Sequence, residues 1–129
     1  MMKEFYRVLE EDIESNNFDD ALNKSVPVLR KLINVARNEV LPNFRDQLVR
    51  KIADEIILNY ENTLSYVEGS LESLRYVPAI YSYGEKERLV RLVASSINEL
   101  FSFIMGALLV IAELRSTLSG GENPPPGVV

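Results

Sequence analysis

The stretch that decides the fold is Leu100-Phe-Ser-Phe-Ile-Met-Gly-Ala-Leu-Leu-Val-Ile-Ala112, which is apolar on nearly every side of a helix. Glu99 and Glu113 bound this run, so it spans thirteen residues. A bilayer crossing needs roughly twenty apolar residues, so we expect no membrane segment here. The run predicts instead a buried central helix around which the rest of the chain packs.

Two long helices are predicted in the second part of the chain. From Phe44 onward, apolar residues recur at spacings of three and four, which predicts a helix over about 43–74 with Asn43 as its N-cap. The central run belongs to a second long helix over about 85–118. Glutamates suit the positive end of its dipole, and Gly120 is placed to cap its other end.

Two shorter helices are expected before them. The first, over Lys3–Ser15, has one apolar and one acidic face. The second should begin near residues 19–20, and Pro27 interrupts its pattern because proline lacks an N–H and clashes with the preceding turn. Either the helix kinks sharply at Pro27, or a new helix begins there with Ser25 as its N-cap after a short helical turn over 20–23. Both alternatives stay open.

The sequence therefore predicts an all-α fold, an elongated antiparallel bundle of two long helices and two shorter N-terminal ones. At 129 residues the chain has the size of a single domain. We expect the helical domain to occupy 1–118. The Gly/Pro-rich segment 119–129 is expected to form an extended tail.

The composition argues against most enzyme chemistry. The chain has no histidine and no cysteine, which removes the commonest general base, the usual zinc ligands and the Ser-His and Cys-His dyads. It also lacks a Gly-rich phosphate loop and a Gly-x-Ser-x-Gly elbow. Carboxylates such as Asp54, Glu55 and Glu61 lie opposite the apolar stripe and are typical of a solvated surface. We predict that the protein is not an enzyme and holds no cofactor or metal.

The basic residues form two candidate nucleic-acid contacts, early on each long helix. They are Arg45, Arg50 and Lys51, and Lys86, Arg88 and Arg91. A net charge of −5 gives the chain no overall attraction for nucleic acid, although a local basic face would still bind phosphates. Glu85 and Glu87 are interleaved with the second group, so intramolecular ion pairs are the favoured interpretation and nucleic acid is not the favoured partner.

A tyrosine-rich connector and the central run supply a candidate protein interface. Residues 76–84 contain three tyrosines, a proline and a glycine, and they either pack over the end of the bundle or form a binding surface. In the central run, phenylalanines two positions apart lie on different sides of the helix. A four-helix monomer cannot easily bury both, which favours a protein partner or a homo-oligomer. The predicted interface is Tyr76, Tyr81, Tyr83, Phe101, Phe103 and Met105.

The N-terminal residues bear on localisation. The start of the chain, Met-Met-Lys-Glu-Phe-Tyr-Arg7, turns acidic at once, which is not typical of a signal peptide. The absence of cysteine is compatible with a reducing compartment. We therefore expect a cytoplasmic protein.

The region from about 41 to 118 resembles the helical domain of GINS subunits, the small four-part assembly of the replicative helicase. Leu41-Pro-Asn-Phe-Arg-Asp-Gln-Leu-Val-Arg50, followed by Tyr60-Glu61 and Val67, is similar to the Leu-Pro-x-Phe opening of a long helix in the eukaryotic members. This similarity implies a helical scaffold with sister subunits as its neighbours.

The later part of the region also resembles that family, with two departures. Arg75 and Val77–Ile80 stand where the family has a short Pro-x-Ile connector, and Glu87–Arg91 is similar to the helix that follows. The family's basic Arg-x-x-Lys-Ile pattern would fall near 95–98, where this chain has Ser-Ser-Ile-Asn, and the small β-rich second domain is missing. The resemblance implies a non-catalytic scaffold that binds sister subunits, the helicase ring and its co-activator.

The leading prediction is a non-enzymatic helical interaction or scaffold subunit of a larger assembly, with a GINS-like replication factor as the named hypothesis. The alternative is a small helical protein that binds or inhibits a nucleoprotein complex. Such a protein would be an accessory subunit of an antiviral effector or a viral antagonist of one.

Overall fold

The computed structural model describes residues 2–122, with side chains through Ser116, and almost all of this part of the chain is helical. It contains α1 (Met2–Glu14), α2 (Phe18–Val35), α3 (Gln47–Leu74) and α4 (Ala79–Glu122), and no strand occurs among the described residues. The predicted all-α bundle, with two long helices after two shorter ones, is confirmed.

Helices α3 and α4 form an antiparallel hairpin. The Tyr60 hydroxyl donates a hydrogen bond to Glu99 Oε2 at 3.0 Å, and the Arg88 guanidinium donates to the Tyr66 hydroxyl. Later residues of α3 therefore meet earlier residues of α4. This pairing places the first turns of α3 beside the second half of α4.

Helix α2 starts at the same end of the bundle as α4. The Phe18 ring packs edge-on against Tyr83, with ring centroids 5.1 Å apart, and Lys86 forms an ion pair with Asp19 at 2.8 Å. Helix α1 folds back along the first half of α2, since Lys24 of α2 contacts Asp12 at 3.0 Å. All four helices therefore meet around the beginning of α4.

The core lies between α2, α3 and the first half of α4. Fully buried side chains on α4 recur at helical spacing and belong to one stripe: Leu89, Val93, Ile97 and Leu100. Ile57 and Val67 of α3 and Leu29 of α2 are equally buried and join the same cluster. The side chains at the apolar positions of each amphipathic helix are thus the ones that are buried.

Helix α2 passes through Pro27 without ending, so the predicted new start at Ser25 is wrong. Ser25 is fully buried in the middle of the helix. Pro27 leaves the carbonyl of Asn23 without its helical donor. Both residues are exposed, so water can donate to that carbonyl and the helix continues.

The passage from α2 to α3 is also different from the prediction. A π-helical turn (Ala36–Val40) and a 3₁₀ turn (Leu41–Asn43) extend α2. Asn43 ends this segment and does not cap α3. The N-cap is Asp46, whose carboxylate accepts hydrogen bonds from the backbone N–H groups of Leu48 and Val49 at 2.9 and 3.1 Å.

Helix α4 begins earlier and ends later than expected. Its first turn forms at Ala79, because the carbonyl of Pro78 accepts hydrogen bonds from the N–H groups of Tyr81 and Ser82. The predicted connector over 76–84 therefore reduces to the few residues before Ala79. The helix continues to Glu122, so the first four residues of the predicted tail are helical, and the rest of that tail lies outside the described residues.

Candidate docking surface

No group of three or more carboxylates lies close enough to hold a metal ion among the described residues. A cavity of about 380 Å³ lies between α2 and α3, but the charged side chains that line it already hold partners. Glu68 pairs with Arg30 of α2, and Glu72 pairs with Arg75 at 3.3 Å.

The prominent surface is an apolar region at the far end of the α3–α4 hairpin, which we call the open end. Eight large apolar side chains, each between 41% and 66% exposed, lie on the first turns of α3 and on the second half of α4. They are Leu48, Val49, Ile52, Met105, Leu108, Leu109, Val110 and Leu114. Exposed large apolar side chains gathered on two neighbouring helix segments are typical of an interaction site.

The two halves of the open end are held together by a polar contact at its border. Arg115 on α4 donates a hydrogen bond from Nη2 to Asn43 Oδ1 at 2.6 Å, just before α3 begins. Ile111, one turn earlier, is only 7% exposed. The start of α3 and the second half of α4 are therefore neighbours at this end of the hairpin.

Helix α4 is much longer than α1. Helix α1 has 13 residues and α4 has 44. At 1.5 Å per residue these helices are about 20 Å and about 65 Å long. Helix α1 packs on the first half of α2 and leads into it beside the start of α4, so it does not reach the second half of α4.

The register of α3 shows that the core stripe itself is uncovered there. Val49, Ala53 and Ile57 follow one another at spacings of four and so share a face. Ala53 and Ile57 are buried, at 3% and 0% exposed, whereas Val49 is 45% exposed. The face that forms the core further along α3 therefore continues into solvent at the open end.

The predicted interface residues of α4 lie beside this surface or within it. Phe101 and Phe103 are half-buried, and Phe103 packs against the core. Met105 is 45% exposed and belongs to the open end. Sequence reasoning missed the rest of the open end, because Leu48 and its neighbours on α3 fit the same apolar stripe as true core residues. On α4, the apolar run itself was the available signal.

The predicted tyrosines lie at the opposite end of the hairpin. Tyr76 and Tyr81 are 83% and 77% exposed at its tip, together with Ile80. Tyr83 packs against Phe18 and is partly covered. Tyr81 and Met105 are 24 helical residues apart, or about 36 Å. The structure therefore separates the predicted interface into two patches.

The second basic cluster is engaged in intramolecular ion pairs, as predicted. Lys86 pairs with Asp19, and Arg91 pairs with Glu87 at 3.2 Å. Arg88 contacts Glu85 and also lies over the Tyr66 ring, 5.6 Å from its centroid. These side chains already hold partners, which disfavours their use as phosphate ligands.

The first basic cluster lies around the open end and is organised differently. Arg45, Arg50 and Lys51 are exposed, and no carboxylate that the structure describes lies within 4 Å of their charged groups. Arg50 donates to the carbonyl of Pro42 at 3.3 Å. Arg115 likewise contacts an amide and not a carboxylate. Four cations near the start of α3 and on the second half of α4 thus hold no described carboxylate within 4 Å.

An ion-pair network fixes the π-helical turn to α3 next to the open end. Arg37 donates to Asp54 Oδ1 at 2.7 Å and, through two nitrogens, to Glu61 at 2.6 and 3.2 Å. The hydrogen bonds to Glu61 and then to Asp54 raise the pKa of Arg37. The network is half-buried and anchors the turn that follows α2 to α3. The open end lies beyond this anchor.

Tyr60 provides a second lock between α3 and α4. Its side chain is 9% exposed, and its hydroxyl donates to Glu99. Burial, followed by the hydrogen bond to Glu99, raises the pKa of Tyr60 to about 12. The neutral phenol is therefore the form that the fold stabilises.

Helix α4 also has the length and composition of a membrane-spanning helix over Ala79–Ser116. Only 28% of its most apolar 18-residue window is buried within the structure. The core helix of a water-soluble protein would be mostly buried. The low burial therefore indicates that this helix has more apolar surface than the bundle uses.

No protein-family model, curated protein or solved structure matches the chain. The resemblance to GINS subunits thus stays a prediction that no comparison tests.

Proposed function

We propose that this protein is a non-enzymatic interaction subunit that docks into a larger protein assembly through the open end. The observation that supports the proposal is the half-exposed state of eight large apolar side chains on two adjacent helices. Isolated exposed apolar residues are common on protein surfaces, whereas a contiguous patch of this kind is typical of an interface.

The open end supplies a large part of the free energy that association needs. Burying a leucine-sized side chain completely contributes about 1.5–3 kcal/mol, so completing a half-finished burial contributes roughly 1 kcal/mol each. Eight such side chains supply about 8 kcal/mol before the costs of association, which are of order 4–15 kcal/mol. Polar contacts at the rim or a second contact elsewhere would therefore contribute to a stable complex.

The GINS-like replication subunit is the named hypothesis for the assembly. The segment that carries the resemblance, Leu41–Arg50, includes the start of the open end. This hypothesis expects sister subunits of similar size to cover that segment. The alternative, a helical protein that binds a nucleoprotein complex, draws on the exposed cations Arg45, Arg50 and Lys51.

The experiment compares native masses of the tagged chain isolated from its own cells. The wild-type chain is expected to run well above its monomer mass of 14.6 kDa in sizing chromatography with light scattering. The double variant Leu48→Lys, Leu109→Lys is expected to run as a monomer, because burying two ammonium groups in an apolar contact is costly.

The matched control is the double variant Leu58→Lys, Ile80→Lys. Both side chains are well exposed, at 48% and 80%, but they lie outside the open end. This control has the same charge change and is expected to assemble like the wild type. A wild-type chain that is monomeric in its own cells contradicts the proposal.

A second candidate function is attachment to a membrane surface, which the low burial of α4 favours. The run that is apolar on all sides, Leu100–Ala112, is about 20 Å long as a helix, whereas the hydrocarbon core is about 30 Å thick. Helix α4 is also packed into the bundle over its first half.

A further inference from the structure

We infer that the cavity between α2 and α3 is a binding site for a neutral, ring-sized molecule that carries an N–H or O–H donor. This site is separate from the open end, so the inference does not depend on the proposed function. Three features of the cavity support it, which are a backbone carbonyl without a donor, an apolar floor, and charged walls whose groups are already paired.

The backbone acceptor is the carbonyl of Asn23. In a regular helix the N–H four residues later would donate to it, but that residue is Pro27, which has no N–H. No other donor that the structure describes takes its place. Asn23 and Pro27 both line the cavity, so this carbonyl borders it. Its partner must therefore come from outside the protein, as water or as a ligand.

The floor of the cavity is apolar and has room for a ring. Leu22, Val26 and Pro27 line it from α2, and Leu71 lines it from α3. Leu74 continues this floor into an adjoining cavity of about 250 Å³. The main cavity, at about 380 Å³, has the volume of a small-molecule site, since such sites measure roughly 300–1,000 Å³. A ring that covers the partly buried Val26 and Leu71 removes more of their apolar surface from water.

The charged walls of the cavity favour a neutral ligand. Each carboxylate that lines the two cavities already has a basic partner: Glu68 pairs with Arg30, Glu72 with Arg75 at 3.3 Å, and Asp19 with Lys86 at 2.8 Å. The local charge is therefore balanced. A charged ligand would have to displace one of these partners and leave it without its counter-ion, whereas a neutral ligand leaves all three ion pairs in place.

The carbonyl of Asn23 gives the site its selectivity. A ligand N–H that reaches this oxygen replaces a water molecule with a direct hydrogen bond. A ring of the same shape without a donor covers the carbonyl and leaves it unpaired. The net difference of one hydrogen bond corresponds to about three- to tenfold in affinity. The site should therefore distinguish rings of equal size by their donor.

The test compares indole, which carries one N–H, with benzofuran, which has the same ring shape and no donor. Binding to the full chain is measured by NMR titration of the backbone amides. Indole is expected to bind about three- to tenfold more tightly than benzofuran, and the shifted amides should be centred on Asn23 in α2 and Leu71 in α3. Equal affinities, binding of neither ring, or shifts centred elsewhere would overturn the inference.

The variant Pro27→Ala tests the role of the carbonyl. Alanine restores the helical N–H to Asn23, so the preference for indole should disappear, while the loss of the proline ring affects both ligands alike. The matched control Asn23→Ala removes the side-chain amide but keeps the backbone carbonyl, so it should retain the preference. Both substitutions introduce the best helix former and should leave α2 folded. A preference that persists in Pro27→Ala, or that is lost in Asn23→Ala, contradicts the assignment of this acceptor.

Charged derivatives of the same ring test the neutrality of the ligand. Tryptamine adds a positive group to indole, and indole-3-acetate adds a negative one. Because the walls of the cavity are paired, neither derivative should bind more tightly than indole itself. An affinity at least tenfold higher for either one would show that the site selects a charged ligand, which contradicts the inference.

Discussion

The two halves of α4 are both rich in apolar residues but have different surroundings. In the first half, Leu89, Ile97 and Leu100 are fully buried against α2 and α3. In the second half, Leu109 and Leu114 are 62% and 58% exposed. Apolar composition therefore does not distinguish a core helix from an interface helix. The lengths of the neighbouring helices decide which part is covered.

The largest expected effect is a difference in the free energy of unfolding between a variant of the first half of α4 and a variant of the second half. Leu100→Ala removes a fully buried side chain and should lower the free energy of unfolding by about 2–5 kcal/mol. Leu109→Ala removes a mostly exposed side chain of the same type and should change it by less than about 0.5 kcal/mol. Urea denaturation of both variants measures the difference. Equal losses would contradict the division of α4.

The next effect tests the ion-pair network of Arg37, which anchors the turn after α2 to α3. Arg37→Gln removes the network to Glu61 and Asp54 and should cost about 1 kcal/mol, since the group is half-buried and charged. The matched control, Arg91→Gln, removes an exposed ion pair to Glu87 within α4 and should cost less. If Arg37→Gln costs no more than this control in the same denaturation assay, the network does not anchor the end of α2.

A smaller effect tests the hydrogen bond from Tyr60 of α3 to Glu99 in the buried half of α4. The folded-state pKa of Tyr60 is about 12, above its ordinary value near 10. The stabilisation by the neutral phenol is therefore complete below pH 10 and is lost as the pH rises from 10 to 12. Tyr60→Phe should be about 1 kcal/mol less stable than wild type below pH 10, and this gap should narrow above it. A gap that is constant from pH 8 to 12 would contradict the raised pKa.

The sequence predicted the helices because their stability depends on periodicity that is visible residue by residue. The sequence-based predictions were wrong where a neighbouring element or a local contact determines the structure. Pro27 is tolerated because its face is exposed, and Asp46 replaces Asn43 as the cap because a 3₁₀ turn occupies the earlier position. Ser82 is buried inside a segment that the tyrosines and glycine indicated as a connector.

The candidate surface was predicted in part. Met105 belongs to the open end and the partly buried Phe101 and Phe103 lie beside it, as the all-round apolarity of their helix suggested. Leu48 and Val49 could not be recognised, because they continue a stripe whose next members are core. Whether such a stripe is covered depends on the reach of another helix. No local pattern contains that information.

The most direct test of the docking surface is hydrogen–deuterium exchange of the isolated chain and of the chain in its native assembly. The docking proposal predicts that assembly slows exchange of the amides in Met105–Ser116 and in the first turns of α3. Exchange in Leu89–Ile104 should stay slow in both states. Unchanged exchange in Met105–Ser116, or protection confined to the tip around Tyr76 and Tyr81, would contradict it.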